Sequence, residues 1–117
     1  MNSVELGRMG EAIALEFLNR HNYTTVATGW RSRFGEIDLI VKNREYLVFV
    51  EVKLRKNSQF AHAREYVGKT KQRKIKTTAS SWLSFNRTSL QPRFDVIEIY
   101  MPKADAVPEI IHIENAF

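Results

Sequence analysis

The sequence contains no cysteine, which excludes disulfides and thiolate metal sites outright. Any metal would have to be held by oxygen or imidazole ligands. Doing without disulfides also suits a reducing cytosol. Long apolar runs are missing too, since no stretch approaches the ~20 apolar residues that span a bilayer. Near the N-terminus Glu5, Arg8 and Glu11 recur every three residues, so no signal-peptide core can form. The expectation is a soluble cytoplasmic protein without a membrane partner. No linker, internal repeat or low-complexity tract divides the 117 residues, which favours a single domain over 1–117. His21, His62 and His112 are scattered, and none makes a ligand pair at metal spacing, with a role for His62 in its loop left open.

Hydrophobic residues make up 44% of the chain, enough for a sizeable core. Charge is unevenly spread. The net charge is +5, yet residues 31–76 hold 13 of the 18 Lys and Arg and only 5 of the 13 Asp and Glu. A basic block beside a less basic remainder suggests a polyanionic partner, nucleic acid before membrane, with solubility alone as the plainer reading.

Residues 3–21 read as a helix, with Leu6, Gly10, Ile13 and Phe17 on one stripe and Asn2 and Glu5 at capping-box spacing. Strands are expected at 23–30, at about 35–42 and at 46–54, with a polar loop at 55–66. A second helix fits about 68–85, where Gln72, Ile75, Ala79 and Trp82 share a face. Residues 93–101 alternate as a strand, and 109–114 add an edge strand. The fold class is α/β, a mixed sheet flanked by helices in the order α-β-β-β-α-β-(β).

The two central strands carry the chemistry. Alternation sets Ile37, Leu39 and Val41 on one side of the first, and Glu36, Asp38 and Ile40 on the other. On the second strand, Val48, Val50 and Val52 alternate with Phe49, Glu51 and Lys53. A turn centred between Arg44 and Glu45 would pair Leu39 with Val50, Val41 with Val48, Asp38 with Glu51 and Glu36 with Lys53. Opposed like charges destabilise a sheet. Asp38 against Glu51 becomes sensible if a divalent cation such as Mg²⁺ or Mn²⁺ lies between them. A solvated polar face with trivial pairing explains the same residues, and the strands alone leave both readings open.

Asp38 followed by Glu51-Val52-Lys53 resembles the D…(D/E)-x-K core of PD-(D/E)XK nucleases, with Ile37 where the family name has proline. More narrowly, Gly7-x-x-Gly10-Glu11, Gly35 to Ile40, Val48 to Lys53 and Lys71-Gln72-Arg73 resemble the YraN-type family of bacterial endonuclease-like proteins. That family is similar to archaeal Holliday-junction resolvases. The resemblance runs from about residue 6 to 100 and implies a restriction-endonuclease-like fold. It implies Asp38 and Glu51 as principal metal ligands, the Val52 carbonyl as a further oxygen, Glu11 as the helical glutamate completing the metal site, Lys53 as the catalytic lysine and Gln72 as a polar residue facing the site. Phe60-Ala61 departs from the family's Phe-Gly, which bears on the loop and on substrate preference.

From these residues a metal-dependent endonuclease is expected, acting on phosphodiester bonds of DNA ahead of RNA, branched DNA included. A binding module without cleavage is the rival, and a homodimer is left open. The helix 69–76, with Lys69, Lys71, Arg73, Lys74 and Lys76, and the turn at Arg55 and Lys56 would track phosphates independently of sequence. No helix-turn-helix, zinc finger or aromatic stacking motif promises base readout. Trp30 and Phe34 have two readings, core packing or a wedge into distorted duplex.

Overall fold

A computed structural model describes residues 2–56, 67–103 and 105–117. Phe60, Ala61 and His62 therefore lie outside the described residues. Helix α1 (Ser3–Arg20) is followed by strands β1 (Thr24–Ser32), β2 (Gly35–Lys42) and β3 (Tyr46–Arg55), helix α2 (Lys69–Phe85), and strands β4 (Gln91–Tyr100) and β5 (Glu109–Ile113). The strands form one mixed sheet in the order β1-β2-β3-β4-β5. All pairings are antiparallel except β3 with β4, which run parallel on either side of α2 in the chain. The α/β class and the element order are those expected from sequence.

Each helix covers one face of the sheet. Ala14 and Leu18 of α1 pack with Leu39, Val41, Val48, Val50, Ile97 and Ile99. Ala79 and Trp82 of α2 pack with Ile37, Ile40, Leu47 and Phe49. The deepest line of α1 is Gly10, Ala14 and Leu18, whereas Ile13 and Phe17 flank it half-buried. Gly10 is there because α1 crosses β3 closely, and a Cβ on it would lie 3.4 Å from Leu54 Cβ. The Asn2 side chain accepts from Glu5 N at 2.9 Å and caps the helix, while its amide donates to Glu5 Oε1 in place of the backbone bond that would complete a capping box.

The proposed hairpin register holds for Leu39 with Val50 and Val41 with Val48. It then stops: the β2–β3 ladder has no pair beyond Leu39–Val50. Ile37 leaves the face of Leu39 and joins Ile40 on the α2 side, contrary to strict alternation. β1 is irregular alongside: its register against β2 shifts between Thr25 and Ala27. Between the pairs Thr28–Leu39 and Trp30–Ile37 stand Gly29 and Asp38, and Gly29 has φ +57°. That left-handed conformation is open to glycine at little cost and rotates the strand locally. The kink falls where Asp38 sits.

Candidate active site

Beyond Leu39–Val50 the strands β2 and β3 part, and Asp38 bridges the opening. Its Oδ2 accepts a 2.8 Å hydrogen bond from Val52 N. Asp38 and Glu51 are therefore not opposed ladder partners, as even alternation predicts; Asp38 instead turns its carboxylate to the β3 backbone. In an antiparallel sheet the N–H and C=O of one residue point to the same edge. The Val52 carbonyl thus faces the same opening as its N–H. Glu36 does not meet Lys53 either. It ion-pairs with Arg31 across the β1–β2 hairpin at 3.4 Å.

Glu51 is 7% exposed, on the α2 side of β3 with Phe49. Two ammonium groups reach its Oε1, Lys53 at 3.8 Å and Lys71 at 3.6 Å. Lys71 was expected on a phosphate track, but it lies on the inward half of α2, one turn before Ile75 and two before Thr78. It, and not Gln72, is the α2 side chain in contact with the acids. The Gln72 amide donates to the Val67 carbonyl at 2.8 Å and ties down the approach to α2. Glu98, 1% exposed, lies in register with Lys53 on β4 and brings a further carboxylate to this face. A lone acid inside the apolar run Val96 to Tyr100 was the sequence signal for it.

The carboxylates are held uncomfortably. Burial raises the Asp38 pKa above its usual range, and Glu36 adds to this, while the Val52 N–H, Lys71 and Lys53 oppose it. Burial and then the charge of Asp38 raise Glu51, against the two lysines. Glu11, half-buried on α1, is raised by burial and by the negative charges of Asp38 and Glu36. Three acids from α1, β2 and β3 thus share one electrostatic neighbourhood. Among the described residues no group of three or more His, Cys, Asp or Glu side chains is close enough to cage a metal. Asp38, Glu51 and the Val52 carbonyl supply the oxygen atoms of this neighbourhood that could hold a hard cation. That suits Mg²⁺, which binds through one or two carboxylates and keeps waters for phosphate oxygens to replace.

The cations sort by face. Lys69, Arg73 and Lys74 are exposed on α2 and make no ion pair among the described residues. Lys76 lies 5.8 Å from the rings of both Phe94 and Phe117. Arg55 and Lys56 border an apolar cleft of about 550 Å³ between the start of α1 and the ends of β3 and β4, with Lys103 opposite. Trp30 packs in the α2-side core, whereas Phe34 at the β1–β2 tip is 40% exposed.

The model of uncharacterised protein family UPF0102 matches residues 10–99, the stretch that carries Glu11, the β2–β3 opening, α2 and most of β4. The chain belongs to this family. Among UPF0102 relatives, the protein of Acetivibrio thermocellus is 42% identical over 99% of this chain and 93% of its own length. Those of Geotalea daltonii and Caldicellulosiruptor saccharolyticus are 44% and 39% identical, over 96% and 100% of this chain and 88% and 100% of their own lengths. The names of these UPF0102 proteins state no activity. Among the described residues no helix is long and apolar enough to cross a membrane.

Proposed function

We propose that the chain is a divalent-metal-dependent endonuclease of the PD-(D/E)XK type, acting on DNA from the opening between β2 and β3. One observation carries the reading. Two carboxylates raised above their usual pKa by burial flank a kinked, parted hairpin, with two lysines against one of them. Acids perturbed by burial and by one another's charge are what functional sites gather. The likeness to archaeal Holliday-junction resolvases belongs to the same reading and suggests branched DNA as a substrate.

Asp38, Glu51 and the Val52 carbonyl would hold Mg²⁺ or Mn²⁺, with Glu11 on its outer side. When bound, the ion would lower the pKa of a coordinated water and neutralise charge on the phosphate. Asp38 is already oriented for this by the Val52 N–H, so little rearrangement is required of it. Lys53 would turn from Glu51 toward the phosphate and offset the negative charge that builds on its oxygens. Lys71 would keep Glu51 ionised and in place. Lys69, Arg73 and Lys74 would hold the flanking backbone, giving affinity that falls with salt whatever the sequence. Cations in the first turn of α2, with no acid there, oppose the helix dipole, a cost that an anionic partner would reverse.

A second reading has its own observation. Lys53 and Lys71 already neutralise Glu51, so the same face would serve a binding module that needs no metal. Incubation with linear and branched DNA in Mg²⁺ or Mn²⁺ tests the choice. Cleavage by the wild type that disappears in Asp38→Asn supports the endonuclease. Salt-sensitive binding without cleavage in either metal supports the module, and no binding at all removes both.

A further inference from the structure

The β1–β2 tip, Ser32 to Gly35, is built to keep its shape. Ser32 Oγ accepts from Phe34 N at 3.1 Å, and Arg31 pairs with Glu36 below it. Gly35 has φ +148°, and a Cβ on it would come within 3.2 Å of Thr78 Oγ1, so the tip rests against α2. Thr78 in turn donates to the Lys74 carbonyl one turn earlier. The tip thus packs on the helix whose outer side carries the exposed Lys69, Arg73 and Lys74.

On that tip stands an exposed aromatic ring. Phe34 is 40% exposed, and the Arg33 guanidinium lies 4.8 Å from its ring centroid. Scattered apolar residues on a surface need no explanation. Phe85 and Val107 are more exposed still. Phe34 differs from both in three ways. It is covered on one side by a cation, its backbone is fixed, and it belongs to the hairpin that bears Asp38. Four residues separate Phe34 from Asp38, at most roughly 13 Å along a strand. A nucleotide advances about 3.4 Å along its strand, so that distance covers about four steps.

Resting on the DNA reading above, we propose that Phe34 and Arg33 form a base-stacking subsite for a nucleotide that has left the helical stack. The substrate class is then DNA carrying an unpaired base within about four nucleotides of the cleaved phosphate. The ring accepts any base on its π face, and the guanidinium covers the ring or the neighbouring phosphate. Perfect duplex leaves the subsite without a partner, because its bases are stacked on one another.

The test uses the full chain in EDTA, so that binding is read without cleavage. The probes are two duplexes of one sequence, one fully paired and one with a single unpaired 2-aminopurine. Stacking energies per base correspond to a preference of roughly tenfold for the unpaired probe, with quenching of its fluorescence. Phe34→Ala should bring the ratio to about one, and Phe34→Trp should keep it. The ratio is the readout, and an unchanged melting temperature confirms that the exposed substitution leaves the fold intact. An equal ratio in wild type and Phe34→Ala overturns the subsite while leaving the basic surface standing. Failure of the wild type to bind either probe overturns the DNA reading, and the subsite with it.

Discussion

Two groups of charged side chains are built into the same sheet, and they are treated in opposite ways. Asp95 on β4 is 0% exposed and fully engaged. Arg93 grips it with Nε at 2.9 Å and Nη2 at 2.8 Å, His112 Nε2 donates at 2.7 Å, and Asn115 N donates at 3.0 Å. Arg93 also donates to the Tyr23 hydroxyl at 2.6 Å. Burial alone would raise the Asp95 pKa, yet the bonds from His112, Arg93 and Asn115 hold it below its usual value. Among the described residues Asp38 receives one backbone hydrogen bond, and its pKa is raised. A carboxylate that serves the fold has its lone pairs filled. At the β2–β3 opening the bonds from the described residues do not offset burial, which is the condition a ligand cation would relieve.

The sharpest way to break this contrast is to remove each carboxylate. Asp95→Ala strands a buried guanidinium and should cost about 3–5 kcal/mol in urea unfolding. Asp38→Asn should change stability by less than ~1 kcal/mol, or raise it, because repulsion with Glu51 is relieved. Similar losses at the two positions would mean that Asp38 is as structural as Asp95.

Acidity separates the groups next. In metal-free protein Asp38 and Glu51 have folded pKa values above their unfolded ones, so the native state binds protons more tightly. Their contribution is present in full below pH about 3.8 and 4.5, the ordinary values, and is lost as pH rises through the raised ones. Asp95 has the opposite sign, with stability present above its ordinary value of 3.8 and lost as pH falls through the lowered one. Melting curves from pH 3 to 7 should therefore show a destabilisation with rising pH above about pH 4 that Asp38→Asn and Glu51→Gln each reduce. Asp95→Asn should instead flatten the acid limb. The reverse pattern would mean that the two groups do not hold their protons in opposite ways.

The smallest effect concerns the exposed cations. Replacing Lys69 and Arg73 with alanine should leave stability within ~0.5 kcal/mol of the wild type. It should also flatten the log–log salt dependence of DNA binding by roughly one unit for each phosphate no longer neutralised. An unchanged slope would make this side of α2 a solvated face and move the backbone track elsewhere.

The element order, both helices and the central register from Leu39 to Val48 were legible because alternation and helical spacing are strong there. The kink was not, since period-two reading assumes an unbroken ladder. The warning sign was Gly29, a glycine within a strand pattern. Lys71 was read by its charge and not by its place on the helix face shared with Ile75 and Trp82. The Asp95 group is legible in part. Arg93 and Asp95 alternate with Phe94 and Val96, on the face that later carries Ile97 and Ile99. Charges on such a face have to be paired when they are buried, and that could have been read in advance. His112 and Asn115, their partners from the C-terminal segment, could not, because nothing local ties them to β4.

The most direct measurement is a Mn²⁺ titration followed by electron paramagnetic resonance and by melting temperature. One saturable site should appear in the wild type, raising its melting temperature as the ion concentration passes the dissociation constant. The same site should weaken by about tenfold or more in Asp38→Asn and in Glu51→Gln, while Asp95→Asn, however destabilised, should bind as the wild type does. Equal Mn²⁺ affinity in the wild type and both opening variants would contradict a metal site between β2 and β3.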